Sequence, residues 1–76
     1  MALIFTVDDD PQISNLIKVL FEDRNHEVLA FNGGRQCLER LSENPSVVFL
    51  DMMMPHMNGI ETLKLIKSIN KDLPVI

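Results

Sequence analysis

Two apolar runs, Ala2-Leu3-Ile4-Phe5-Thr6-Val7 and Val47-Val48-Phe49-Leu50, each stop abruptly on an aspartate. Neither run alternates apolar with polar residues. A short continuous run rich in β-branched and aromatic residues suits a strand covered on both faces. The chain is therefore constrained to bury a sheet between two layers, and the segments joining the runs must supply the cover.

Those segments read as helices. After Asp8-Asp9-Asp10 comes Pro11, which is favoured at the first helical position because its missing N–H has no partner there anyway. Asp10 fits the N-cap, where a carboxylate accepts from free amides of the first turn. Ile13, Leu16, Ile17, Leu20 and Phe21 then fall at i, i+3, i+4, i+7 and i+8, one face of an amphipathic helix that ends near residues 23–25. Glu27–Phe31 is a second strand candidate, closed by Asn32-Gly33-Gly34. Residues 34–43 predict a short helix with Cys37, Leu38 and Leu41 inward. Asn44-Pro45 ends it, since the residue before proline resists helical geometry. After the Val47–Leu50 strand, residues 52–58 form a loop. A third helix over Gly59–Ile69 carries the stripe Ile60, Leu63, Ile66 or Lys67, and Ile69. Pro74-Val75-Ile76 opens a fourth strand. Strands alternating with helices imply an α/β layer structure with a parallel sheet, and right-handed crossovers put helices on both faces.

Composition narrows the function. At 76 residues the chain is one small domain at most, or part of one, and its core is thin. Seven basic against eleven acidic side chains leave a net charge of −4, which argues against direct nucleic-acid contact, since that needs a basic patch. Cys37 is the single cysteine, so neither an internal disulfide nor a cysteine metal cage can form. No basic, apolar, cleavable leader opens the chain, and no run approaches the roughly 18 apolar residues of a membrane span. A cytoplasmic protein without membrane contact is the expectation.

In open α/β sheets, ligands bind beyond the carboxyl ends of the strands. Asp8 and Asp9 end the first strand and Asp51 ends the third. If those strands are neighbours, three or four carboxylates meet at one edge. Crowded like charges disfavour ionisation unless something positive compensates. Mg²⁺ does so through oxygen ligands, typically one or two carboxylates plus water and phosphate. Three aspartates before a helix also suit a solvated run that complements the helix dipole. The acidic residue at a second strand end, on the same edge, favours a shared site.

Val7-Asp8-Asp9-Asp10-Pro11 and Leu50-Asp51-Met52-Met53-Met54-Pro55-His56-Met57-Asn58-Gly59 resemble the receiver domain of two-component response regulators. The second segment matches that family's Asp-x-x-Met-Pro-x-Met-(Asp/Asn)-Gly pattern at every specified position, and the element order matches along the whole chain. The resemblance implies a flavodoxin-like (CheY-like) doubly wound parallel sheet, seen here as far as the start of strand four, with residues 1–76 forming the N-terminal portion of the domain. It implies that Asp51 is the phosphoacceptor. Asp9 would be a direct Mg²⁺ ligand, Asp8 a ligand directly or through water, and the main-chain carbonyl of Met53 a further one. Asp10 is assigned a cap role. The domain would accept a phosphoryl group rather than act as an enzyme. The donor would be a phosphohistidine on a sensor histidine kinase or a histidine phosphotransfer protein, or a small phosphodonor. An effector domain or self-association would convey the output.

The family also places a Ser or Thr at the end of strand four and a Lys at the end of strand five. Neither position falls within residues 1–76, so these residues are expected to bind Mg²⁺ but to phosphorylate poorly or not at all, and to leave apolar strand surface and an unpaired edge at Pro74-Val75-Ile76. A receiver-like interaction module that never phosphorylates is the alternative. An aspartate-nucleophile hydrolase usually carries a second acid two residues after the nucleophile, and Met53 stands there instead. Met52-Met53-Met54 reads as loop packing, His56 and His26 as ordinary side chains, and Cys37 as a small core residue. Gly33-Gly34 lacks the spacing of a dinucleotide fingerprint.

Overall fold

The computed structural model describes residues 1–52 and 59–76. In chain order the elements are β1 (Leu3–Val7), α1 (Pro11–Glu22), β2 (Glu27–Phe31), α2 (Gly34–Glu39), a 3₁₀ turn (Leu41–Glu43), β3 (Val47–Leu50) and α3 (Gly59–Ile69). The three strands form a parallel sheet in the order β2-β1-β3. Ile4 pairs with Val28 on one side and Val47 on the other, and Val7 pairs with Phe31 and Leu50. The doubly covered sheet inferred from the apolar runs is thus the one observed.

Alternation along the strands sorts their side chains onto two faces. Phe5, Val7, Phe31, Val48 and Leu50 share a buried cluster with Cys37, Leu41, Ile66 and Leu73, under α2 and α3. Phe5 and Phe31 meet edge to face, with ring centroids 4.9 Å apart, a geometry worth about 0.5–1.5 kcal/mol beyond area burial. The opposite face carries α1, whose Phe21 ring lies 5.5 Å from that of Phe49.

The α1 stripe is only partly inward. Ile17 and Phe21 are half-buried, but Ile13, Leu16 and Leu20 are 43 %, 56 % and 46 % exposed, and the buried residue of the helix is Ser14. A small side chain lets the helix lie close to the sheet, and the larger residues are turned to its flank. The helix ends at Glu22, close to the expected limit at residues 23–25, which form a turn with Asn25 in the left-handed region (φ 63°). The correction to the α1 stripe applies also to α3. Gly59, Thr62 and Ile66 face the core with Leu63 beside them, whereas Ile60 and Ile69, expected inward, are exposed.

The helix expected over residues 34–43 breaks at Arg40 (φ −111°, ψ 10°), and a 3₁₀ turn follows. Asn44 adopts a left-handed conformation (φ 59°) that ends the segment before Pro45 is reached. Cys37 is fully buried, and Leu41 nearly so. Burial pushes the Cys37 thiol up to about 11, which removes the thiolate character that reactivity requires.

Beyond α3, Leu73 is buried and Val75 bridges to Val48 in parallel. The Val48 amide donates to the Pro74 carbonyl, the Leu50 amide to that of Ile76, and the Ile76 amide to that of Val48. The expected fourth strand therefore begins alongside β3. Among the described residues, no helix is long and apolar enough to cross a membrane.

Candidate functional site

The β1–β3 ladder brings the strand ends together. The amide of Asp51 donates to the Val7 carbonyl at 2.9 Å, and the amide of Asp8 donates to the Phe31 carbonyl at 3.0 Å. Both aspartates therefore leave the sheet side by side with their backbones fixed. One carboxylate oxygen each from Asp8, Asp9 and Asp51 lies within 4.8 Å of the others. Asp8 and Asp51 are half-buried and Asp9 is exposed.

Asp10 stays out of that cluster. Its side chain accepts from the Gln12 amide at 2.9 Å and caps α1, as the sequence indicates. Its own amide donates to Asp8 Oδ1 at 2.9 Å, which fixes one oxygen of the Asp8 carboxylate. The cap residue thus orients the Asp8 carboxylate, a link that residue spacing did not reveal.

The electrostatics are those of crowded anions. The Asp8 carboxyl is held above its ordinary value of 3.8. Burial contributes most; Asp51, through both its charge and a side-chain hydrogen bond, and the charge of Asp9 raise it further. The Asp10 amide acts in the opposite direction. Three hard oxygen donors with mutual repulsion make a donor set that fits a divalent cation preferring oxygen ligands.

A recess of ≈ 470 Å³ opens beside these carboxylates, lined on its apolar side by Ile13, Ile17, Phe49 and Ile76. The fourth expected ligand, the Met53 carbonyl, lies outside the described residues, as do Met54, His56 and Met57. Gly59 sits against the backbone that leaves Asp51, a role that the sequence pattern marked as a fixed position without a reason. His26, read as an ordinary side chain, accepts the Ala2 amide on Nδ1 at 3.1 Å, at the opposite end of β1 from the aspartates.

Comparison with known proteins agrees with this geometry. The model of the response regulator receiver domain matches residues 4–76. The chain is 40% identical over 76 residues to a transcriptional regulatory protein CpxR homolog of Haemophilus influenzae, covering all of this chain and 33% of that protein. The response regulator protein TrrA of Thermotoga maritima, solved in complex with Mg(2+)-BeF, is 30% identical with a TM-score of 0.89, covering 99% of this chain and 66% of that one. TrrA in complex with the histidine kinase ThkA matches at 32% identity and a TM-score of 0.88, over 99% and 66% of the respective chains. The chain spans about a third of the curated relatives that it matches. It belongs to the response regulator receiver domain family.

Proposed function

We propose that Asp51 is the phosphoacceptor of an Mg²⁺-dependent phosphorelay. The observation that carries this reading is the convergence of carboxylate oxygens from Asp8, Asp9 and Asp51 within 4.8 Å at two adjacent strand ends. Asp8, Asp9 and Asp51 would hold the cation, with the main-chain carbonyl of Met53 as a further ligand. When bound, Mg²⁺ offsets the repulsion between carboxylate and phosphoryl oxygens and aligns them.

The chain's own groups supply the rest. An Asp51 oxygen attacks phosphorus and forms an acyl phosphate. The P–N bond to the donor imidazole breaks, and the departing imidazole takes up a proton. The Asp10 amide holds Asp8 in place, and the sheet hydrogen bond to Val7 holds the Asp51 backbone. The donor is the phosphohistidine of a sensor kinase or phosphotransfer protein. The solved TrrA–ThkA complex, in which a 32% identical relative meets a histidine kinase, supports that class. A cytoplasmic setting fits such a donor.

Incubation with acetyl phosphate and Mg²⁺, followed by peptide mapping, tests the reading. The expected result is a hydroxylamine-sensitive phosphoryl group on Asp51, absent without the cation and absent in Asp51→Asn. A label at another residue overturns it, as does Mg²⁺ that leaves the amide signals of Asp8, Asp9 and Asp51 in the folded chain unmoved.

A further inference from the structure

Gly59 is the first residue of α3 and is buried. A Cβ built there would stand 2.5 Å from Met52 Cα, 2.9 Å from Met52 Sδ and 3.1 Å from the Asp51 carbonyl oxygen. The thioether can swing aside, but the other two atoms cannot move without moving the backbone. Gly59 does not have a positive φ, so an L side chain would meet no conformational obstacle. The requirement is one of space alone.

Which side would yield is set by packing. Farther along α3, Thr62 and Ile66 are fully buried, and close-packed interiors resist displacement. Met52 is 45 % exposed. The Asp51 amide is pinned to Val7, so displacement falls on the Asp51 carbonyl and on Met52, rotating the residue that carries the carboxylate.

We propose that Gly59 is a positioning residue for Asp51: its lack of a side chain sets how closely α3 approaches the exit of β3, and thereby where the Asp51 carboxylate stands relative to Asp8 and Asp9. The inference rests on the reading of Asp51 as a cation-binding phosphoacceptor. Gly33 provides a contrast, because a Cβ there meets first the far end of the Gln36 side chain at 2.6 Å, which can rotate away.

The test uses the whole 76-residue chain, titrated with Mg²⁺ and followed by amide chemical shifts at Asp8, Asp9 and Asp51. Gly59→Ala is compared with Cys37→Ala, which weakens the core without touching the strand exit. Alanine is the better helix former, so Gly59→Ala should still melt cooperatively. Its Mg²⁺ affinity should fall by about tenfold or more, the usual range for lost support of a ligand, and the Asp51 and Met52 amide shifts should move even without metal. Cys37→Ala should bind Mg²⁺ like the parent. Adding Met52→Ala to Gly59→Ala should not restore affinity, because the clash with the main chain of residue 52 persists.

Unchanged affinity in Gly59→Ala, loss of its cooperative fold, or rescue by Met52→Ala overturns the proposal. Failure of the parent chain to bind Mg²⁺ counts against the phosphoacceptor reading instead. Gly59 is then judged by the metal-free shifts: displaced Asp51 and Met52 amides support its role, and unmoved ones refute it.

Discussion

Val7 and Leu50 are register partners on adjacent parallel strands, and the next residue along each strand is an aspartate. Asp8 and Asp51 are thus placed together by the sheet itself, before any loop contributes. A site fixed by ladder hydrogen bonds is preorganised, and a divalent cation needs such ligands held in place. The cost is repulsion in the absence of that cation, and several outcomes follow from it.

The first concerns acidity. Asp8 binds its proton more tightly in the folded chain than its ordinary value of 3.8 would give. A group with a raised folded pKa contributes stability that is fully present below the unfolded value and is lost as pH rises through the folded one. In EDTA, the chain should therefore lose part of its stability as pH rises out of the acidic range. Asp8→Asn should remove that slope and melt higher at neutral pH. With Mg²⁺ the order reverses. The parent chain should gain about 2.7 kcal/mol at a hundredfold excess over Kd, whereas Asp8→Asn gains little. Thermal melts across pH, with and without Mg²⁺, check both arms; a stability of the parent relative to Asp8→Asn that does not fall between acidic and neutral pH in EDTA would contradict the first.

Phosphoryl transfer onto these residues should be slow. The charges of Asp51 and Asp9 both raise the Asp8 pKa, and the Ser or Thr and the Lys that the family resemblance implies at the ends of strands four and five do not fall within residues 1–76. Removing one preorganised charge-stabilising donor costs about 3–4 kcal/mol in a transition state, roughly 10²–10³ in rate. Labelling of Asp51 by acetyl phosphate should fall behind that of a receiver protein of TrrA's length by at least that factor. Equal rates would show that the acidic residues alone suffice.

Sequence reading succeeded where burial alone decides the outcome. The strand limits at Glu27–Phe31 and Val47–Leu50 and the helix at Gly59–Ile69 follow from apolar runs and their breakers, and the structure keeps them. It failed where distance of approach decides. Periodicity weighs Ile13, Leu16 and Leu20 by hydrophobicity, yet the sheet takes Ser14 because a small side chain lets the α1 backbone come close. Thr62 and Gly59 win the inner face of α3 over Ile60 and Ile69 in the same way. The aspartates were legible because they interrupt apolar runs. The link from the Asp10 amide to Asp8 Oδ1 was not, because it depends on a turn geometry that many sequences share.

Lys67 holds the chain that follows α3. Its Nζ donates to the carbonyls of Leu73 and Lys71, and Leu73 in turn is buried beneath the sheet. Hydrogen bonds to a charged donor contribute about 1.5–3 kcal/mol, and Lys67 is half-buried. Lys67→Met should lower stability by about 1–2 kcal/mol, since the stem is replaced while the donor is lost. Hydrogen exchange localises the effect. The amides of Val48, Leu50 and Ile76, which bond the start of the fourth strand, should lose protection before those of β1. Urea denaturation that leaves Lys67→Met unchanged would show that the contact contributes nothing.

Association should follow from the flank of α1. Ile13, Leu16, Val19 and Leu20 are exposed on that helix, and Ile76 is 72 % exposed at the adjoining recess with Phe49. Apolar surface of this kind favours burial against another molecule. Sedimentation velocity should show a weight-average mass that rises with protein concentration. Leu16→Lys with Leu20→Lys should suppress the rise while shifting the melting temperature little, because both positions are largely solvated already. The charge added is basic, so it also brings the net charge of −4 closer to neutral, which by itself would promote association. A double variant that stays monomeric despite that change therefore identifies the apolar flank as the cause, whereas a parent chain that is monomeric at every concentration rules the association out.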